Sequence, residues 1–122
     1  MSKSFWFGFL LCITLFSCGK ERIISDEEKK LWVSDRKGCG GKRIVLADSL
    51  LENESVVLGI KEDVLLTSLG KPDKSDYFKR SRKIHYYYLE NGGQCDGVSG
   101  KEGKMLAVEI NAVGLVKAMW RE

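Results

Sequence analysis

The sequence predicts an α+β domain, with two or three short helices packed on a small three-stranded antiparallel sheet. Three observations carry this reading. The stretch Gly59 to Asp73 spaces its apolar residues at helical intervals and ends on Gly70 and Pro72. Lys83 to Leu89 and Met105 to Ile110 alternate side chains at the period of a strand. Glycine-rich segments separate these stretches from one another.

The 122 residues suffice for one small domain. A hydrophobic content of 43% and a charged content of 30% are ordinary for a globular chain. The formal charge of +3 is mild and does not imply a nucleic-acid partner.

The N-terminus departs from that average. Behind Lys3, residues Phe5 to Phe16 read FWFGFLLCITLF, twelve positions without a charge. A bilayer span needs about 20 apolar residues, so this run is too short. It fits the apolar region of a signal peptide behind a positive n-region. The alternative is a buried N-terminal helix. Four aromatics in five positions, Phe5, Trp6, Phe7 and Phe9, give such a helix no amphipathic period.

The run ends on Leu15-Phe16-Ser17-Cys18. This resembles the lipobox of bacterial lipoproteins. The resemblance implies lipid on the Cys18 sulfur, cleavage after Ser17 and acylation of the new amine. Phe16 is bulkier than the residue common at its position. Cys12 lies inside the run and leaves with it. Several acyl chains anchor stably, because each buried methylene contributes about 0.8 kcal/mol. The alternative is ordinary secretion with an incidental cysteine. The expected division is a signal peptide over residues 1–17, a lipidated tether over 18–24 and a single domain over 25–122. Loss of Lys3 leaves 19 basic against 17 acidic residues, or +2. Gly19 is not the Asp that holds lipoproteins at the inner membrane in the enterobacterial pattern. The outer membrane is therefore expected, on its periplasmic or its surface face.

Ser25-Asp26-Glu27-Glu28 has the form of a capping box and predicts a short helix through about Trp32. Lys37 to Lys42 contains three glycines in four positions and predicts a loop. Arg43 to Asn53 places Ile44, Ala47 and Leu51, and Leu46 with Leu50, at helical steps. In the next helix Ile60, Val64, Leu65 and Leu69 share a face. Acidic Glu62 and Asp63 sit in its first turn, where they oppose the helix dipole, and Gly70 takes C′. On the first strand Ile84, Tyr86 and Tyr88 share one face, and His85, Tyr87 and Leu89 the other. Leu106, Val108 and Ile110 share a face of the next strand, with Glu109 opposite. Asn111 to Gly114 is a turn, and Leu115 to Trp120 a last strand. Between Glu90 and Lys104 lie five glycines in thirteen residues. A loop of that length is usually functional or tied down.

From the third helix onward the chain resembles the SmpA/OmlA (BamE-like) family of small outer-membrane lipoproteins. The residues that carry this are Gly59, Val64, Leu69-Gly70 and Pro72, then Tyr86 and Tyr88, then Leu106, Val108, Ile110, Asn111, Gly114 and Val116. They span roughly residues 59–116, about half the chain. The resemblance implies short helices on a small antiparallel sheet, and an accessory role in barrel assembly and envelope integrity. Trp32-Val33-Ser34-Asp35, Cys39 to Arg43 and the loop bearing Cys95 are not part of the family pattern.

With Cys12 removed and Cys18 acylated, Cys39 and Cys95 are left as a pair in glycine-rich loops. The expected compartment is oxidising, so a disulfide is expected; the alternative is two unrelated thiols. No CxxC is present and His85 is the sole histidine, so no metal site is expected. His85 reads as a packing or surface residue. No G-x-S-x-G, H-E-x-x-H or P-loop is present, isolated Asp96 and Glu109 do not form a pair, and no cofactor motif occurs. Lys79, Arg80, Arg82 and Lys83 form the one dense basic cluster, in a segment from Lys71 with six basic and two acidic residues. Behind a signal peptide it faces anionic lipid headgroups or an acidic protein, or is simply a solvated turn. Tyr77, Phe78 and Tyr86 to Tyr88 are candidates for a partner patch or for core packing.

The leading expectation is thus a non-catalytic envelope lipoprotein that docks on another outer-membrane component. A binder or inhibitor of a soluble target is the alternative. An enzyme using His85 is the third reading.

Overall fold

The computed structural model describes residues 22–122. Cys12, Cys18, the boundary at residue 17 and most of the tether lie outside the described residues. Three helices precede a four-stranded sheet: α1 Asp26–Ser34, α2 Lys42–Glu52, α3 Glu62–Leu69, then β1 Lys74–Tyr77, β2 Lys83–Tyr88, β3 Met105–Ile110 and β4 Val116–Arg121. The α+β class is as expected. The sheet has four antiparallel strands in the order β1-β2-β3-β4, where the sequence predicts three. The added strand reads Lys-Ser-Asp-Tyr and is mostly exposed, so no apolar alternation marks it. Main-chain pairing with β2, from Lys74 opposite Tyr86 to Tyr77 opposite Lys83, makes it a strand.

The capping box of α1 forms as its residues predict. Ser25 Oγ accepts the Glu28 N–H at 3.1 Å and Glu28 Oε1 accepts the Ser25 N–H at 2.9 Å. Gly70 stands at the C-cap of α3 with φ 80°, one position earlier than expected, and donates to the Leu66 carbonyl at 2.8 Å.

Helices and sheet meet in one core. Trp32, Leu46, Ala47, Leu50, Val57, Leu65 and Leu69 pack against Tyr87, Leu89, Leu106, Val108, Ile110, Val116 and Met119. The face assignments of β2 and β3 follow the predicted alternation. In β4 the core residues Val116 and Met119 are three apart, which simple alternation forbids. A register shift at Glu109/Ile110 places Val116 opposite Ile110 and Met119 opposite Val108, so both reach the core. The other sheet face carries a second cluster, Ile84, Tyr86 and Ala107 with partly buried Met105 and Trp120, built from strand residues alone.

The segment before α3 runs beside the start of β4. Gly59 N–H donates to the Val116 carbonyl at 2.8 Å, Val116 N–H to Ile60 at 2.9 Å, and Glu62 N–H to Gly114 at 2.9 Å. These bonds fix where the first turn of α3 meets the sheet. Among the described residues no helix is long and apolar enough to cross a membrane.

Candidate functional site

Three constellations stand out, and they differ in what they can do. The first is a clamp that joins the two glycine-rich loops. Cys39 and Cys95 lie at disulfide distance with their Cα atoms 5.9 Å apart. Gln94 reinforces it: its Nε2 donates to the Lys37 carbonyl at 2.9 Å and to Glu90 at 2.8 Å, and its Oε1 accepts the Gly103 N–H at 3.0 Å. The loop is held so closely that a Cβ on Gly103 would stand 2.2 Å from the Glu90 carbonyl oxygen. Only glycine permits that approach. Lys74 and Tyr88 both bond Glu102 and hold the far limb of the loop to the sheet. The long loop is therefore tied down.

Beneath this clamp lies a buried ionic network that the sequence reading missed. Asp35 accepts the backbone N–H groups of Gly40 at 2.7 Å and Lys42 at 2.8 Å, and so caps α2 from seven residues upstream. Arg43, 2% exposed, donates to the Trp32 carbonyl at 2.8 Å and to Asp73 at 3.1 Å. Its guanidinium carbon lies 4.5 Å from the centroid of the Trp32 ring. Burial disfavours the Arg43 charge, and Asp73 and Asp35 act against that. Asp73 also accepts the Tyr88 N–H at 3.0 Å. The network joins α1, α2 and β2. Its charged groups, on Asp35, Arg43 and Asp73, are all engaged within the protein, which marks the network as structural, while the buried Trp32 Nε1 has no hydrogen-bond partner among the described residues.

The second constellation is the β1–β2 hairpin tip. Tyr77 is 73% exposed and Phe78 45%. The turn Lys79-Arg80-Ser81-Arg82 closes with the Arg82 N–H donating to the Lys79 carbonyl at 3.5 Å. Both central residues are left-handed, with φ of 66° at Arg80 and 62° at Ser81. Such a turn favours Asn-Gly, because side chains with a Cβ are strained there. The structure divides the basic cluster. Arg82 pairs with Glu109 at 3.0 Å and Lys83 with Glu62 at 2.9 Å. Lys79 and Arg80 remain exposed and make no ion pair with the described residues.

The third constellation surrounds His85, which is buried at 4% exposure rather than at the surface. Its Nδ1 lies 2.7 Å from Ser75 Oγ on β1. Its Nε2 lies 2.7 Å from Glu62 Oε2 on α3. Burial raises the Glu62 carboxyl, but hydrogen bonds from His85 and Lys83 and the charge of Lys83 outweigh it and hold it below the usual carboxylate range. Sequence spacing could not reveal this group, since its members come from three elements. Tyr87, two residues on, donates its hydroxyl to the Gly70 carbonyl at 2.8 Å, and burial pushes its phenol well above its usual range.

Among the described residues no group of three or more His, Cys, Asp and Glu side chains is placed to hold a metal ion. Asp96 and Glu109 are not brought together as a pair: Asp96 lies exposed in the long loop and Glu109 is engaged by Arg82. No family model, no curated protein and no solved structure matches the chain.

Proposed function

We propose that this chain is a non-catalytic, lipid-anchored protein of the bacterial envelope that docks on another outer-membrane component. Lipid on Cys18 supplies location, and the β1–β2 hairpin tip supplies recognition. The support for the first part is the sequence Leu15-Phe16-Ser17-Cys18 behind an uncharged apolar run. The likeness to SmpA/OmlA proteins over residues 59–116 favours an accessory role in envelope or barrel assembly.

The observation that carries the second part is the composition of the hairpin tip. Two exposed aromatics, Tyr77 and Phe78, stand beside two cations that make no described ion pair, Lys79 and Arg80. The turn holds Arg80 and Ser81 where glycine or asparagine would be less strained. A solvated turn gains nothing from such residues. An anionic partner surface gains both charge and apolar contact.

Fractionation tests the anchor. Wild-type protein is expected in the membrane fraction and Cys18→Ala in the soluble fraction. Continued membrane association of Cys18→Ala would sink the lipid claim.

A further inference from the structure

We propose that Ser75 is an activated nucleophile, acylated by small activated esters, with His85 taking its proton and Glu62 orienting His85. The docking function does not require it, and the two stand or fall separately.

The inference begins with position. Ser75 lies opposite His85 in the β1–β2 ladder, so both side chains leave the sheet on the same face. Glu62 opens α3 on that face, fixed there by the Glu62 N–H bond to the Gly114 carbonyl. Both heavy-atom separations, Ser75 Oγ to Nδ1 and Nε2 to Glu62 Oε2, are 2.7 Å.

The chemistry follows from the partners. Glu62 is ionised at neutral pH and therefore only accepts hydrogen bonds. Its contact with Nε2 places the ring proton on Nε2. In the neutral ring Nδ1 is then a bare acceptor, and the Ser75 hydroxyl donates to it. Lys83 occupies the other Glu62 oxygen at 2.9 Å and holds the carboxylate in place. A nucleophile, a base in reach of its proton and a group orienting the base are the three parts of an activated serine. The two imidazole nitrogens are exchanged relative to the usual serine-hydrolase arrangement, but the proton path is the same.

Access differs among the three. His85 is 4% exposed and shielded from water. Ser75 is half-buried on the edge strand, and its neighbours Lys74 and Asp76 are exposed. The outer edge of β1 pairs with no other strand among the described residues, and a small electrophile would approach Oγ from that side. In the reaction the Ser75 O–H proton passes to Nδ1 as Oγ bonds the acyl carbon. The carbon–oxygen bond to the leaving alcohol breaks, and Nδ1–H returns the proton to that alcohol. The product is an ester on Ser75.

The test is labelling of the full chain with a fluorophosphonate, located by peptide mass spectrometry. Oγ bonds phosphorus and fluoride leaves. Exposed Ser34 and Ser55 serve as controls in the same molecule, so the comparison does not depend on the folding of a variant. Ser75 is expected to label at least about 100-fold faster than either, the lower range of general-base assistance. His85→Gln and Glu62→Gln are expected to remove most of that advantage while circular dichroism stays native. Labelling of Ser75 no faster than Ser34, or an advantage that survives His85→Gln, would overturn the proposal.

Discussion

Replacing Arg43 with Met should destabilise the domain by about 3 kcal/mol. Methionine keeps much of the side-chain length and loses the charge. In the native protein the Arg43 and Asp73 side chains are 3% and 7% exposed, and their charged atoms are 3.1 Å apart. Removing one partner of a buried pair leaves the other charged and dry, which costs roughly 3–5 kcal/mol. The lower end applies here, because Arg36 stays 3.5 Å from Asp73, although with its side chain 57% exposed. The same substitution strips the Trp32 carbonyl of its 2.8 Å donor and the Trp32 ring of its cation. For a domain of this size 3 kcal/mol corresponds to a fall in Tm of about 15 °C. Chemical and thermal denaturation of Arg43→Met, Asp73→Asn and the double variant measure it. The double variant should be more stable than the sum of the two single losses predicts, by 1 kcal/mol or more on the scale of buried pairs, about twice the usual additivity error. A single-variant fall in Tm below about 3 °C, or strict additivity, would refute the reasoning.

Three further outcomes are expected. Cys39→Ser/Cys95→Ser should lower stability by about 4 kcal/mol on the chain-entropy relation, since the cysteines are 56 residues apart. Two free thiols in non-reducing mass spectrometry of the protein would contradict that pairing. Glu62 has its folded pKa depressed, so its contribution is fully present above the ordinary carboxylate range and is lost as pH falls through the lower, folded value. Glu62→Gln should therefore lower Tm at pH 7 and flatten its decline as pH falls below the ordinary carboxylate range, and an unchanged acid limb would exclude the linkage. Gly103→Ala should be strongly destabilising, because the added Cβ meets Glu90 and Asn91 main-chain oxygens at 2.2 and 2.8 Å, and a Tm within 2 °C of wild type would show that the loop yields by about half a kcal/mol or less.

Local signals account for what the sequence revealed. The helical spacing of Leu46, Ala47 and Leu50 in α2 and of Leu65 and Leu69 in α3, and the alternation of β2 and β3, predict their burial in the same core, whereas Val64, expected on that face of α3, stands outside the cluster. Ser25 and Glu28 cap α1 through bonds spanning three residues, so the pattern is local too. β1 is illegible because its ladder is made by main-chain groups and its side chains are mostly exposed. Asp35 reaches the N-terminus of α2 across a turn in which Gly38 and Gly41 adopt positive φ of 71° and 78°, a conformation that glycine favours. The Cys39–Cys95 pair is legible as two cysteines in glycine-rich loops of the chain, and the structure places them at disulfide distance. Ser75, His85 and Glu62 are not, since residues 13 and 10 apart on different elements leave no periodic trace. Likewise the exposure of Lys79 and Arg80, against the pairing of Arg82 and Lys83, depends on Glu109 and Glu62 from elsewhere in the fold.

The docking claim meets its most direct test in co-purification from detergent-solubilised membranes, with wild-type chain beside Lys79→Glu/Arg80→Glu. Both substitutions lie on an exposed turn outside the core, so the variant should keep the wild-type Tm within a few degrees. The wild-type chain should retain an outer-membrane partner in stoichiometric amount, and the variant should lose it. A wild-type chain that purifies alone, or a partner held equally by both, would contradict docking through the hairpin tip.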